Sequence, residues 1–201
     1  LPHAEPLSFL LVRYLLVVSL MTLIALATRA PWPRSARQWF HIGIAGLLVH
    51  AVYLGGVFIA ISKGLPAGVT SLVVGIQPLL TAIGAGWLLN ETVLKRQWAG
   101  LVLGFAGVAM VVSGKLGSGF GLDAMWPALA ALAGITAGTL YQKRFCPSFD
   151  WRTGAIAQFL PTAIATGAVV GLSDNFRVDW VPDFIFALTW LVLVLSVGAI
   201  S

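Results

Sequence analysis

Charged residues are scarce in this chain: Asp, Glu, Lys and Arg make up 9% of the 201 residues, whereas 59% are hydrophobic. A soluble domain carries roughly 25% charged residues, because polar groups must cover its surface. This chain lacks the polar residues for such a surface, and its mean hydropathy of +0.94 agrees. The composition therefore predicts an integral membrane protein and excludes an ordinary soluble domain.

The chain has one cysteine and no carboxylate in the interior of an apolar run. The single Cys146 excludes an internal disulfide. All seven acidic residues fall at the ends of apolar runs or between them, so no buried carboxylate is present to relay a proton, which disfavours cation antiport. The His residues are scattered, at positions 3, 41 and 50. We therefore expect no metal site and no cofactor.

Basic residues do not cluster. The net charge is +5, but no run of Lys and Arg exceeds two adjacent residues. A nucleic-acid-binding surface needs a concentrated basic patch, so we expect no nucleic-acid partner.

Long apolar runs are what the chain has instead. Lengths near 20 residues and abundant Ala, Gly and Leu favour membrane-spanning helices, and the short alternating strands of a membrane barrel are absent. The predicted spans, A to G, are residues 6–28, 39–62, 66–89, 98–114, 124–141, 153–172 and 182–201. The sequence predicts an all-α, polytopic transmembrane helix bundle, with the lipid bilayer as its first partner.

Lys and Arg are unevenly distributed between alternate loops. Eight of the 12 lie in or beside the loops 29–38, 90–97 and 142–152. The alternate loops hold three, which are Lys63, Lys115 and Arg177. Because cytoplasmic loops are enriched in Lys and Arg, we predict that the loops 29–38, 90–97 and 142–152 are cytoplasmic. We expect a multi-pass protein of the cell inner membrane.

Span C contains a predicted break at its centre. Residues 66–89 carry no charge, yet Gln77 and Pro78 lie near the middle. A proline has no N–H, which frees the carbonyl one turn earlier. In lipid, such a defect is tolerated only where protein or a water-filled cavity covers it. The pattern favours a solute path at Pro78; the alternative is a proline kink in a packed bundle.

The order of the spans indicates an internal repeat. Arg13 in span A precedes Trp39 by 26 residues, and Gln158 in span F precedes Phe184 by 26 residues. Span A runs inward and span F outward, so the second copy is inverted. Inverted repeats are typical of alternating-access carriers, whose site lies near the midplane. The alternative is a chance likeness between two helical hairpins.

Several loose motifs follow one another in a characteristic order. They are Tyr53 in span B, small residues before span C, Pro78 in its middle, then Glu91 and the Gln97-Trp98-Ala99-Gly100 opening of span D. The Arg13 segment and the stretch from Trp126 to Tyr141 extend the pattern. In this order and spacing the chain resembles the EamA family of the drug/metabolite transporter superfamily.

The resemblance implies ten helices in two inverted five-helix repeats, incomplete in this chain. Residues 1–114 are then the first repeat without its first helix, and residues 115–201 are the second repeat, truncated in its third helix. We therefore expect an internal fragment of a longer transporter, covering family helices two to eight.

Arg13 is the clearest charge within a span, seven residues into span A. Intramembrane charges are costly and usually functional. We predict that Arg13 faces the bundle and contacts an anionic group of the solute. The alternative is that it snorkels outward or anchors neighbouring carbonyls.

Three residues near the midplane are the other main candidates for solute contact. His50 and Gln77 each lie eleven residues into their spans, and Tyr53 follows His50 by one helical turn. Spans B and C enter from opposite faces, so antiparallel packing would bring His50 and Gln77 level. The alternative is hydrogen bonding that only holds the spans together.

The second repeat contributes weaker candidates. Gln158 is a polar residue within span F. Trp190 lies inside span G, where we expect it to form an aromatic wall of the site; the alternative is a ring that faces lipid. Gly100 and Gly104 form a GxxxG pattern, which predicts close packing against span C or a partner.

These features together predict a secondary transporter, an exporter of a small neutral, zwitterionic or anionic metabolite of amino-acid type. The alternative is a non-transporting scaffold or a truncated, inactive fragment. A membrane enzyme is disfavoured, because the sequence has no His-x-x-Glu-His or Gly-x-Ser-x-Gly pattern. Monomer and homodimer are both left open.

Overall fold

The structure is a computed structural model that describes residues 5–88, 94–113, 122–173 and 176–192. Within these residues there are nine α-helices, and an eight-residue π-helical segment continues directly from the second helix into the third. In chain order they are α1 (Pro6–Ala27), α2 (Ala36–Gly46), the π segment (Leu47–Leu54), α3 (Gly55–Ser62), α4 (Ala67–Val74), α5 (Gln77–Leu88), α6 (Lys95–Ser113), α7 (Leu122–Phe145), α8 (Trp151–Ser173) and α9 (Pro182–Trp190).

Five helical stretches in the described part of the chain are long and apolar enough to cross a membrane. They are Pro6–Ala27, Ala36–Ser62, Ala67–Leu88, Asp123–Phe145 and Trp151–Ser173. These stretches match predicted spans A, B, C, E and F. The prediction of an all-α, polytopic membrane fold is confirmed.

Predicted spans D and G are helical where the structure describes them, as α6 and α9. Neither is among the five stretches that meet the length and hydropathy of a membrane span. The end of span G, residues 193–201, lies outside the described residues. So do residues 90–93 of one predicted cytoplasmic loop, with Glu91, and residues 114–121 around the predicted repeat boundary.

The largest hydrophobic core lies between α1 and α8, with α9 packed against it. Tyr14 and Phe159 are buried there with ring centroids 5.6 Å apart, and Phe9 contacts Phe184 edge-on at 5.7 Å. The α1–α8 pair has the most extensive contact among the described helices. This core holds the inward faces of α1 and α8 in fixed positions.

Glycine permits α2 to approach α8 closely. A Cβ at Gly46 would lie 2.5 Å from both the Cα and the carbonyl oxygen of Gln158, which no real side chain tolerates. On the other flank, a Cβ at Gly138 of α7 would lie 2.6 Å from Val49 Cγ2 in the π segment. The π segment is therefore held tightly between α7 and α8.

The predicted span C is two helices rather than one. Helix α4 ends at Val74, a turn covers Gly75 and Ile76, and α5 begins at Gln77. The Ile76 N–H donates to the Val73 carbonyl, only three residues back, at 3.2 Å. The interruption lies immediately before Pro78, which has no N–H to continue the ladder.

Helix α6 makes little contact with the rest of the described structure. Gly100 and Gly104 are exposed, and nothing lies within 4 Å of a Cβ built at either position. Neither glycine therefore mediates packing against span C, because α6 turns this face away from α4 and α5. The alternative that they pack against a partner stays a prediction.

Candidate functional site

His50 lies in the π segment and contacts both α1 and α8. The Tyr14 hydroxyl donates to the His50 carbonyl at 2.8 Å, and Tyr14 is fully buried. The imidazole stacks on Phe159, with ring centroids 4.1 Å apart and planes 23° from parallel. A π-helical turn occurs often at functional positions, since it shifts side chains out of the regular α-helical register.

The His50 imidazole is hydrogen-bonded to a side chain of α8. His50 Nε2 lies 3.2 Å from Gln158 Oε1, so this ring nitrogen carries the proton when it donates to the amide oxygen. The Gln158 Nε2 amide in turn donates to Gln142 Oε1 on α7 at 3.4 Å. Three helical elements thus meet through polar side chains inside the bundle.

Gln77 of α5 makes a second set of polar contacts. They reach α7 one turn before Gln142. The Gln77 Nε2 amide donates to Thr81 Oγ1 at 3.3 Å and to Thr139 Oγ1 at 3.5 Å. The Thr139 hydroxyl donates to the Ile135 carbonyl at 2.7 Å. Gln77 is thereby oriented toward α7 at the point where α5 begins.

The two groups are neighbours on α7, since Thr139 and Gln142 are three residues apart and share a helix face. We call Gln77, Thr139, Gln142, Gln158 and His50 the polar chain. It crosses the bundle from α5, over α7, to α8 and the π segment. His50 and Gln77 do not bond to each other directly, because α7 lies between the elements that carry them.

Arg13 is buried in α1, with 9% of its surface exposed. Arg13 precedes Tyr14, whose hydroxyl donates to the His50 carbonyl. A cation beside the polar chain favours the approach of an anionic group such as a carboxylate. This burial disfavours the alternative that Arg13 snorkels outward, and the alternative that it anchors neighbouring carbonyls stays a prediction.

Two predicted residues, Tyr53 and Trp190, are not members of the polar chain. Tyr53 is half-buried in the π segment, one turn after His50. Trp190 in α9 is 56% exposed, and its ring stacks on Phe186 with centroids 6.3 Å apart. Trp190 is therefore placed as a surface ring rather than as a wall of the polar chain.

An apolar cavity of about 330 Å³ lies beyond the π segment, between α3, α7 and α8. Ala51, Gly55 and Pro127 line it, together with Thr166 of α8. A smaller cavity of about 130 Å³ shares Leu7 and Ile59 with it and reaches the helix ends at Glu5 and Ser62. The two cavities run from one end of the bundle toward its middle.

Aromatic and polar contacts join the helices at the opposite end of the bundle, beside an open pocket of about 450 Å³ lined by Pro31, Gln38 and Thr153. His41 Nδ1 lies 2.6 Å from the Tyr141 hydroxyl, and the His41 ring stacks on Phe145 at 5.0 Å. The Thr153 hydroxyl donates to the Pro31 carbonyl at 2.7 Å, which ties α8 to the loop before α2. This end carries two of the loops that the sequence predicts to be cytoplasmic, 29–38 and 142–152.

Asp150 forms an ion pair beside these contacts. Arg152 Nη2 lies 2.7 Å from Asp150 Oδ2, and the Arg152 backbone N–H donates to Asp150 Oδ1 at 3.0 Å. These hydrogen bonds hold the pKa of the Asp150 carboxyl below its ordinary value. Nearby, burial raises the pKa of the Cys146 thiol, which keeps the thiol protonated and weakly reactive.

Sequence reasoning missed three members of the site, which are Tyr14, Thr139 and Gln142. Thr139 and Gln142 carry a signal, since they are polar residues with i, i+3 spacing in an apolar span. Tyr14 carries none, because its hydroxyl binds a backbone carbonyl 36 residues away. That contact depends on packing between helices.

Several proteins with sequences similar to this chain are named as transporters or efflux pumps. Over 98% of its length the chain is 27% identical to a Bacillus subtilis protein named "Uncharacterized transporter YvbV", of which it covers 65%. Over 69% of its length it is 30% identical to an Escherichia coli K12 protein named "Uncharacterized inner membrane transporter YedA", of which it covers 43%. A Salmonella typhimurium protein named "Probable amino-acid metabolite efflux pump" is 28% identical over 49% of the chain and is covered to 33%.

The chain therefore spans less than two thirds of the length of these relatives. Residues 1–113, more than half of the chain, match the EamA-like transporter family. The match includes Arg13, the π segment with His50, and the break before Pro78. With its helical membrane fold, this chain belongs to the EamA-like transporter family.

Proposed function

We propose that this protein is a secondary transporter that moves a small neutral, zwitterionic or anionic metabolite by alternating access. The observation that carries the proposal is the polar chain, which links α5, α7, α8 and the π segment inside an apolar bundle. Buried polar groups in a membrane are costly unless they are hydrogen-bonded or functional. A row of amides and one imidazole provides exchangeable donors and acceptors for a solute.

The charges near the polar chain support a solute that is not a simple cation. Arg13 is the buried charged residue beside it in the described structure. A carboxylate is attracted to such a site, while neutral amides accept and donate to the rest of the solute. An amino-acid-like metabolite has this combination of groups.

Export is the proposed direction of transport, from the cytoplasm across the inner membrane. The support comes from relatives: one is named as an efflux pump and another as an inner membrane transporter. The excess of Lys and Arg in the loops 29–38, 90–97 and 142–152 supports their placement in the cytoplasm.

Two inverted repeats, divided near residue 114, would provide the two half-bundles that alternating access requires. The close α1–α8 pair is compatible with this division, since α1 and α8 hold the matching positions Arg13 and Gln158. Rocking of the halves would expose the polar chain to one side of the membrane at a time.

A direct test is transport by the purified full-length protein in liposomes. We expect a panel of radiolabelled amino acids and related metabolites to include at least one that crosses faster than in empty liposomes. A correctly folded protein that transports no member of the panel, in either orientation, would favour the non-transporting scaffold instead.

A further inference from the structure

The break between α4 and α5 leaves backbone carbonyls without their usual helical donors. Pro78 cannot donate to the Val74 carbonyl, four residues earlier. The Leu79 N–H, which a continuous helix would direct at the Gly75 carbonyl, donates to the Ile76 carbonyl at 3.0 Å. These oxygens lie at the C-terminal end of α4, where the helix dipole is negative.

Thr136 on α7 adds a hydroxyl at the same level. Its Oγ1 atom is buried and has no hydrogen-bond partner among the described residues. Leu132, one turn earlier, belongs to the same hydrophobic cluster as Val73 of α4, and Thr139, one turn later, accepts a hydrogen bond from Gln77 of α5. Thr136 lies between these two contacts, so its face of α7 is opposite the break.

The missing partner of Thr136 is unusual for this protein. Helical Ser and Thr side chains commonly donate to the carbonyl four residues earlier. Residues that do so here are Ser19, Thr22, Thr28, Thr70, Thr139, Thr162 and Ser173. Leaving a buried polar atom unpaired is costly, so the unpaired Thr136 hydroxyl is available to bind a ligand.

The groups around the break are acceptor-rich and carry no formal charge. The Gln77 amide nitrogen is already directed at Thr81 and Thr139, which leaves the Gln77 amide oxygen for another donor. With the Val74 and Gly75 carbonyls and the Thr136 hydroxyl, this is a set of hard oxygen ligands. Unwound carbonyls and helix C-termini of this kind coordinate cations in membrane carriers.

We propose that the α4–α5 break and Thr136 bind a monovalent cationic group, either an inorganic ion such as Na⁺ or the ammonium group of a solute. The site needs no carboxylate, because carbonyl dipoles and a helix C-terminus provide the negative potential. Gly75 is exposed in the described structure, so the break itself is not fully covered by the described helices. To contact Thr136, a cation must displace the side chains that bury the Thr136 hydroxyl.

The test measures the thermal stability of the purified full-length protein in detergent. The probes are NaCl and methylammonium chloride, each compared with choline chloride at equal ionic strength. Binding to the folded state raises the midpoint of unfolding, and we expect a rise of about 3 °C or more with at least one probe. A response to Na⁺ alone identifies an ion site, and a response to methylammonium alone identifies an ammonium site.

Thr136→Val is the decisive variant, because it removes the hydroxyl and keeps the shape. We expect its response to the cation to require roughly tenfold more cation. Pro78→Ala restores an N–H for the Val74 carbonyl and should weaken the response similarly. Thr22→Val is the matched control, since Thr22 donates to the Val18 carbonyl on α1 at 2.7 Å, and should respond as the wild type does.

Two outcomes would overturn the proposal: no response to either cation in the wild type, or an undiminished response in Thr136→Val. The readout is binding, so it does not depend on transport. A protein that shows the cation response but transports no solute would refute the proposed function and leave this proposal standing.

Discussion

Gln158 is the residue on which the polar chain depends most. It joins His50 to Gln142, and its own backbone is pressed against Gly46. Side-chain hydrogen bonds between membrane helices contribute about 0.6 kcal/mol on average. Two such bonds therefore contribute little to the free energy of unfolding. Because they lie within the polar chain, we expect them to matter more for solute binding.

Gln158→Leu should weaken solute binding more than it weakens the fold. Both amide bonds are lost, so we expect the apparent affinity for the solute to fall about tenfold. The free energy of unfolding should fall by about 1 kcal/mol. Liposome transport and thermal unfolding measure the two effects. Ser19→Ala is the control, since Ser19 bonds to its own helix on an exposed face; equal transport by both variants would contradict the prediction.

Asp150 should make stability depend on pH at the acidic end. Its folded-state pKa is below the unfolded value of about 3.9. The stability from the ionised carboxylate is therefore complete above that value and is lost as pH falls through the folded-state pKa. The unfolding midpoint of the wild type should exceed that of Asp150→Asn at pH 7, and the difference should shrink below about pH 4. A constant difference would count against the ion pair.

At the level of helices, the packing of α2 on α8 depends on a missing side chain. The Gly46 backbone contacts the backbone of Gln158, which cannot move aside as a flexible side chain could. Gly104 of α6 has the opposite surroundings, with nothing within 4 Å of a built Cβ. The two glycines are thus a matched pair for testing helix contact.

Gly46→Ala should destabilise the protein by about 1–3 kcal/mol, because the added methyl overlaps Gln158. Gly104→Ala should leave the unfolding midpoint unchanged or raise it, since alanine favours a helix by about 0.5–1 kcal/mol. Thermal unfolding in detergent gives both values. A drop in oligomer mass for Gly104→Ala would identify the partner contact predicted for the GxxxG pattern.

For the whole molecule, the sequence predicted the helical membrane fold and the positions of spans A, B, C, E and F. A run of about 20 apolar residues crosses lipid as a helix, because the helix satisfies its own backbone hydrogen bonds. The sequence identified Gln77 and Pro78 because a polar residue and a proline stand out there. It did not identify how α7 separates Gln77 from His50. That arrangement depends on contacts of Gly134 and Gly138 with the π segment, which no local pattern encodes.

The orientation of the molecule is testable by cysteine labelling. With Cys146 replaced by serine, single cysteines at Arg34 and Lys95 should react with a membrane-impermeant maleimide from the cytoplasm. A single cysteine at Arg177 should react from the outside. Arg34 and Arg177 are both exposed in the structure. Labelling of Arg34 and Lys95 positions from different sides would contradict the proposed topology.

The π segment also sets a constraint on chain length. Its wider turns accommodate an additional residue between α2 and α3 without breaking the rod. A further insertion into 47–54, or a deletion that the wider turns did not absorb, would rotate α3 by roughly 100° about its axis. Gly56, whose close approach to the Pro127 carbonyl joins α3 to α7, would then face elsewhere. Insertions and deletions in this short stretch should therefore be far less tolerated than substitutions.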